Sequence, residues 1–211
     1  MTDIALPYFL SRPAAEPPWP GVVVIHEGNG ISAQLLRFSQ RLAHEGYAAI
    51  APDLFFRAGG TEAGDFAKLM GSLKPDEVRA DIEGAAATLR SMGAAAIGVT
   101  GFCMGGLFTY RAALTSGSAD GTTFSAAVGF YGARIAQELG TPKCPTLLFF
   151  GGQDPWIPEA DIETVRAHHP STVVYPEATH GFMRDGSESY DEAAAADAWT
   201  RLLGFFGDHL H

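Results

Sequence analysis

The chain has 211 residues, of which 46% are hydrophobic and 18% are charged, and its formal net charge is −10 at pH 7. These values are typical of a soluble globular protein with a substantial core, and they exclude a disordered chain. The acidic balance disfavours nucleic acid as a partner, which usually requires a basic stripe, and it disfavours docking on an anionic membrane.

The N-terminus lacks the pattern of a signal peptide, since Met1-Thr2-Asp3 begins acidic and prolines follow soon after. No apolar run approaches the roughly 20 residues needed to span a membrane. The two cysteines, Cys103 and Cys144, are too few for a disulfide scaffold. We therefore expect a cytoplasmic protein.

Strand-like and helix-like patterns alternate along the chain, with a proline-rich turn at residues 12–21. We predict strands over residues 4–10, 22–25, 47–51, 96–100, 124–131, 146–150 and 172–175, and helices over 32–45, 65–70, 76–92, 107–114, 160–167 and 190–206. Such alternation is typical of the α/β class, a mostly parallel sheet with helices on both faces. Because no repeat or long linker divides the chain, we expect residues 1–211 to form one domain.

The segment Gly101-Phe102-Cys103-Met104-Gly105-Gly106 lies between a predicted strand and a predicted helix. That context fits a nucleophile elbow, in which glycines flank the reactive residue because the sharp turn brings neighbouring chain close. A thiol at a helix N-terminus also gains nucleophilicity, since the helix dipole favours the thiolate. The motif predicts Cys103 as a nucleophile. The alternative is a buried structural cysteine on a glycine-rich turn.

Asp154 and His180 follow Cys103 in the order of the α/β-hydrolase triad: nucleophile, acid, histidine. Each residue comes after a separate predicted strand, and the loops that follow parallel strands open on one edge of the sheet. In a triad the histidine takes the thiol proton, and the aspartate orients and stabilises the imidazolium. Taken separately, Asp154 could form a turn and His180 could be a polar loop residue, but their ordered occurrence favours the triad.

The first central strand is followed by the loop His26-Glu27-Gly28-Asn29-Gly30. It lacks the third glycine of a dinucleotide fingerprint, so we expect neither NAD nor another cofactor, and no metal. The backbone N–H groups of Gly28 and of Met104, the residue after the nucleophile, are candidates for an oxyanion hole. Glu27 either faces solvent or manages the thiol proton by accepting the S–H hydrogen bond.

Together these residues resemble the dienelactone hydrolase family. The elbow, the Gly152-Gln153-Asp154 turn, the His180-Gly181-Phe182 loop and the Glu27 loop stand in the family's order, and the likeness spans nearly the whole chain. The resemblance implies an α/β-hydrolase fold and hydrolysis of enol-lactone or ester substrates through a thioester acyl-enzyme. It further implies that Glu27 holds the resting thiol and helps to deprotonate it when substrate binds.

Two substrate-binding residues are expected. The resemblance implies that Arg184 grips a substrate carboxylate, and we place Tyr131, at the end of a predicted strand, in the same site. The family usually brings a further arginine after the second strand, whereas residues 60–65 are acidic here and neither Arg57 nor Lys68 clearly matches it. His26 also stands where a neutral residue is expected. These departures weaken the assignment to dienelactones and leave acyl hydrolysis intact.

The sequence therefore predicts a cysteine-nucleophile hydrolase of small carboxylic esters or lactones, with or without a substrate carboxylate. One alternative is a general small-acyl carboxylesterase or thioesterase, which would differ only in its pocket. Another is a catalytically silent ligand-binding protein of the same fold, against which the complete triad argues. Monomer and homodimer are both compatible with the sequence.

Overall fold

The computed structural model describes residues 7–61, 64–117 and 123–211. These ranges contain seven strands and six α-helices: β1 (Tyr8–Ser11), β2 (Trp19–Ile25), α1 (Ala33–His44), β3 (Ala48–Pro52), α2 (Phe66–Ser72), α3 (Pro75–Ser91), β4 (Ala94–Phe102), α4 (Met104–Thr115), β5 (Ala126–Phe130), β6 (Thr146–Gly151), α5 (Glu159–His168), β7 (Val173–Tyr175) and α6 (Glu192–Leu210). None of these helices is long and apolar enough to cross a membrane.

All seven strands join one sheet in the order β1-β3-β2-β4-β5-β6-β7. Every neighbouring pair is parallel except the edge pair, in which β1 runs antiparallel to β3. The predicted α/β class is confirmed. Residues 4–6 of the predicted edge strand lie outside the described ranges.

The start of β2 differs from the prediction. The strand begins at Trp19, inside the predicted proline-rich turn. Trp19 is buried and pairs with Ala94, and the register shifts before Gly21. Pro20, which has no N–H to donate to the ladder, therefore lies at an irregularity where a missing donor is tolerated.

Helices cover both faces of the sheet, as the alternating pattern predicts. On one face Val22 and Val24 pack with α1 and α6, and on the other Val23 and Ile25 pack with α3 and α4. Side-chain caps fix two helix starts, since Ser32 accepts a hydrogen bond from the N–H of Leu35 and Asp191 accepts one from that of Ala194.

An aromatic stack supports the carboxyl ends of the central strands. The rings of Phe102, Phe130 and Phe149 lie on adjacent strands with successive centroids 4.9 Å apart, and all three side chains are fully buried. Burying one phenylalanine contributes about 2–3 kcal/mol, and stacking adds about 1 kcal/mol per pair. The stack gives a rigid base to the loops that leave this edge.

Candidate active site

Cys103 occupies the turn between β4 and α4 and has the strained backbone angles φ 54° and ψ −118°. The elbow packs too closely for side chains at its glycines. A Cβ on Gly105 would lie 2.4 Å from the carbonyl oxygen of Ile25, and one on Gly101 would lie 2.4 Å from that of Gly105. Cys103 is therefore presented, half-buried, at the N-terminus of α4, where the helix dipole favours a thiolate.

Asp154 and His180 meet at the same edge. The Nδ1 of His180 donates to Oδ2 of Asp154 over 2.7 Å, and both side chains are buried. The other oxygen of Asp154 accepts the backbone N–H groups of Trp156 and Ile157 at 2.8 and 3.1 Å. The carboxylate is thus fixed by its own loop, and it fixes the orientation of the imidazole.

The second ring nitrogen of His180, Nε2, has no hydrogen-bond partner in the described part of the chain. Burial alone would lower the pKa of His180, but the hydrogen bond to Asp154 and the nearby Cys103 thiol outweigh it and raise that pKa to about 9. The imidazole therefore binds a proton strongly, as it must when the proton has moved from the Cys103 thiol to Nε2. Thiol–imidazole hydrogen bonds of this kind are often long before substrate binds.

Glu27 lies directly after β2, is buried, and uses both carboxylate oxygens. Oε1 accepts from the hydroxyl of Tyr131 at 2.9 Å, and Oε2 accepts from Nε and Nη2 of Arg184 at 2.8 and 2.5 Å. Of the two readings of the sequence, the solvent-facing one is wrong because the side chain is only 2% exposed. The expected hydrogen bond from the Cys103 thiol is also not formed, and the donors that Glu27 accepts come from Arg184 and Tyr131.

The Glu27–Arg184 ion pair shifts the pKa values of the groups in and beside it. Burial alone would lower the pKa of Arg184, but the charge of Glu27 and its hydrogen bonds raise it above the ordinary value. Burial, followed by the negative charge of Glu27, raises the pKa of Tyr131 well above its usual range. Tyr131 therefore stays a neutral donor, and it is fully buried.

The N–H groups of Gly28 and Met104 are candidate oxyanion donors. The residues that the structure describes offer no backbone acceptor to either group, and the first N–H groups of any helix lack a partner within the helix. Both residues are buried. Backbone donors without a partner at the loop after β2 and at the start of α4 are the kind of group that a developing oxyanion requires.

Comparison with known proteins shows the family to which the chain belongs. The family model described as "Dienelactone hydrolase family" matches residues 6–210. The chain belongs to the dienelactone hydrolase family. A protein of Salmonella typhimurium named "Putative carboxymethylenebutenolidase" is 34% identical over 97% of this chain and 83% of its own. A Synechocystis protein of the same name is 34% identical over 96% of this chain and 91% of its own.

A solved structure supports the same assignment. The crystal structure of a "Putative Dienelactone Hydrolase" from Klebsiella pneumoniae superposes with a TM-score of 0.85 at 32% identity, covering 97% of this chain and 93% of that one. The predicted family and the α/β-hydrolase fold are therefore confirmed, and the chain is a hydrolase.

Arg57, considered as the second arginine, already has carboxylate partners in the protein. Its guanidinium binds the buried carboxylate of Asp81 on α3 at 2.7 and 2.8 Å, and Glu77 lies 3.8 Å away. Arg57 therefore ties α3 to the turn after β3. Lys68 lies on the exposed side of α2. Within the acidic segment 60–65, residues 62 and 63 lie outside the described ranges.

Two further residues border the site and were missed from the sequence, and a third, His26, was noted there only as a departure from the family pattern. Trp156 is two-thirds exposed, and the centroid of its ring lies 4.5 Å from the centroid of the His180 ring. The exposed ring of Phe66 lies directly against Gly28. His26 is fully buried and hydrogen-bonded through both nitrogens. An aromatic residue two positions after Asp154 is a usable sequence signal, whereas nothing local identifies Phe66.

Proposed function

We propose that this member of the dienelactone hydrolase family hydrolyses carboxylic esters or lactones through a thioester formed on Cys103. The proposal is supported chiefly by the buried Asp154–His180 hydrogen bond beside a cysteine held at φ 54° at a helix N-terminus. A base, the group that orients it and a strained nucleophile are the parts that covalent acyl transfer needs.

In the acylation step, Nε2 of His180 takes the thiol proton and Sγ of Cys103 attacks the substrate carbonyl carbon. The carbonyl oxygen becomes an oxyanion that accepts hydrogen bonds from the N–H groups of Gly28 and Met104. The intermediate collapses as the carbon–oxygen ester bond breaks, and the imidazolium returns its proton to the departing alkoxide or enolate. A lactone leaves this oxygen tethered to the acyl group. Asp154 stabilises the imidazolium throughout.

Deacylation repeats the steps with water. His180 removes a proton from a water molecule, and the hydroxide attacks the thioester carbon while the same two N–H groups hold the oxyanion. The carbon–sulfur bond then breaks, and the thiolate recovers its proton from the imidazolium. The products are a carboxylic acid, which ionises, and the resting enzyme.

Arg184 is the residue we propose for recognition of a substrate carboxylate. It bears a partly exposed guanidinium that is paired with buried Glu27. An incoming carboxylate would compete for this guanidinium and release Glu27, which then becomes free to accept a proton. Substrate binding and thiol activation would thus be linked through one arginine, and Tyr131 would hold the released carboxylate in place.

A second candidate function is the hydrolysis of neutral small-acyl esters or thioesters. One observation favours it: Arg184 is engaged by Glu27 and Arg57 by Asp81, so both arginines considered for carboxylate recognition already carry a counter-ion. In that case the Glu27–Arg184 pair would be structural, and no charged substrate group would be needed.

Matched substrates separate the two candidates. We expect the wild type to hydrolyse the monoethyl ester of succinic acid with a lower KM than the diethyl ester, and Arg184→Gln to raise KM for the monoester about 10-fold relative to that for the diester. Arg111→Gln, which breaks the remote ion pair with Glu138, serves as the control. A wild-type preference for the diester would favour the second candidate.

The nucleophile is tested by substitution. Cys103→Ala is expected to abolish hydrolysis in a folded protein, and Cys103→Ser to lower kcat by at least about 100-fold, because a hydroxyl is far harder to deprotonate than a thiol. Cys144→Ala, which removes the other cysteine, should keep wild-type kinetics. Equal rates for serine and cysteine at position 103 would contradict the proposed thiol chemistry, and binding without turnover by the wild type would favour a silent binding protein.

A further inference from the structure

His26 is the last residue before the Glu27 loop, and its imidazole is fully buried. Its Nε2 lies 3.1 Å from the backbone N–H of Leu54, which can only donate, so Nε2 is the unprotonated acceptor. Its Nδ1 lies 2.7 Å from the carbonyl oxygen of Glu27, which can only accept, so Nδ1 carries the hydrogen. Burial lowers the pKa of His26, consistent with this neutral form.

The carbonyl that His26 holds belongs to the same peptide unit as the N–H of Gly28. That oxygen also accepts the N–H of Gly30 at 2.9 Å. In a planar trans peptide the C=O and the N–H point in opposite directions. Two donors on the oxygen of Glu27 therefore fix the direction in which the Gly28 N–H points.

We infer that His26 is a positioning residue that aims the Gly28 N–H into the oxyanion hole, an inference that rests on the proposed function. Its second hydrogen bond attaches the loop after β2 to Leu54, just beyond β3, and the ring of Phe55 packs against it at 4.8 Å. The oxyanion donor is thus braced from the neighbouring strand. Because the imidazole is neutral, His26 places no charge at a position where a neutral residue is expected.

Two substitutions test the two imidazole nitrogens of His26 separately, because each keeps one of the two hydrogen bonds and removes the other. His26→Asn places an amide nitrogen the same number of bonds from Cβ as Nδ1, so it retains a donor for the Glu27 carbonyl. His26→Gln extends its amide to the position of Nε2. Its amide oxygen can therefore still accept from Leu54, but no donor remains at the Nδ1 position for the Glu27 carbonyl. His169→Asn removes a histidine that bonds Tyr110 far from the site and controls for the loss of a structural histidine.

Steady-state hydrolysis of p-nitrophenyl acetate and the rate of alkylation of Cys103 by iodoacetamide are measured for each variant. Alkylation needs the thiolate but forms no oxyanion. We expect His26→Gln to lower kcat about 10- to 100-fold at nearly constant KM, with the alkylation rate within about 2-fold of the wild type. His26→Asn should recover kcat to within about 5-fold of the wild type, and His169→Asn should match the wild type.

The inference is overturned if His26→Gln retains wild-type kcat, or if kcat and alkylation fall together in both His26 variants, which indicates general disorder of the site. If the wild type hydrolyses no ester, the proposed function fails and this role with it. Should His26→Gln not fold, 15N NMR of the wild-type imidazole decides: a neutral ring protonated at Nδ1 at pH 7 supports the inference, and an Nε2-protonated ring or an imidazolium overturns it.

Discussion

Three charged side chains determine the field at Cys103. Glu27 is buried and negative, Arg184 neutralises it, and His180 is the residue that we propose as acceptor of the thiol proton. Because the carboxylate and the guanidinium form an ion pair, their charges compensate each other. Removing either partner leaves an uncompensated charge beside Cys103, which is costly in a buried site.

Glu27→Gln tests this balance. The substitution removes the negative charge and exposes the Arg184 charge to the thiol, so we expect iodoacetamide to alkylate Cys103 several-fold faster at pH 7. Hydrolysis of carboxylate-bearing esters should slow, because the residue that takes the proton after displacement is lost. Glu138→Gln, which disrupts a remote arginine pair, is the control. Slower or unchanged alkylation would contradict a guarding role for Glu27.

The raised pKa of His180 predicts a pH dependence of stability. The folded-state pKa is about 9 against an ordinary 6.5, so protonated His180 stabilises the fold. That contribution is complete below about pH 6.5 and is lost as the pH rises through 9, and it amounts to at most about 3 kcal/mol. Urea unfolding at pH 6.5 and 9 should show a larger loss for the wild type than for His180→Asn. Equal losses would contradict the raised pKa.

The order of Cys103, Asp154 and His180 along the chain was enough to predict which residues converge, because the ends of parallel strands share one edge. The ion-pair partner of Glu27 could not be predicted from the order of residues along the chain. Arg184 lies 157 positions away, and no local pattern links the two side chains. The resemblance supplied Arg184 as a substrate ligand, and only the folded loops show that a carboxylate of the protein itself occupies it.

At the level of elements, the elbow depends on backbone packed against backbone. The first turn of α4 lies against the end of β2, where a Cβ on Gly105 would come within 2.4 Å of the Ile25 oxygen and 2.7 Å of the His26 oxygen. Neither oxygen can move without breaking the sheet or the Glu27 loop. The glycine at this position therefore lets the Cys103 turn pack directly against the candidate oxyanion loop.

Gly105→Ala should lower the free energy of unfolding by about 3 kcal/mol, because the new methyl group has no room. Gly204→Ala is the matched control: Gly204 is exposed in α6 with nothing within 4 Å of the added Cβ, so alanine should stabilise the protein by about 0.5–1 kcal/mol. Thermal denaturation of both variants measures the difference. Tolerance of alanine at position 105 would contradict the close packing of the elbow.

Periodicity predicted the number and order of the main elements and was weakest where tertiary contacts override local signals. β2 begins at Trp19 although prolines surround it, because burying the indole beside β4 offsets a poor strand start. β4 continues through Gly101 and Phe102, directly before Cys103. The glycine signals a turn in sequence, but pairing with β5 keeps it extended.

For the whole molecule, the parallel sheet is what makes the site. Its strands bring Glu27, Cys103, Tyr131, Asp154 and His180 to one edge from five separate loops. The stacked aromatic rings beneath that edge hold the strand ends in register. Both arginines considered for carboxylate recognition, Arg57 and Arg184, already have a carboxylate partner in the protein. The substrate class therefore depends on whether a substrate carboxylate competes with Glu27 for Arg184.

The central claim is that acyl transfer passes through Cys103, and trapping the acyl-enzyme tests it most directly. Wild-type protein mixed with p-nitrophenyl acetate and quenched in acid during the first turnovers should gain the mass of one acetyl group, located on Cys103 by peptide mass spectrometry. Cys144→Ala should give the same adduct and Cys103→Ala none. Turnover by Cys103→Ala, or an adduct on another residue during turnover, would contradict the account.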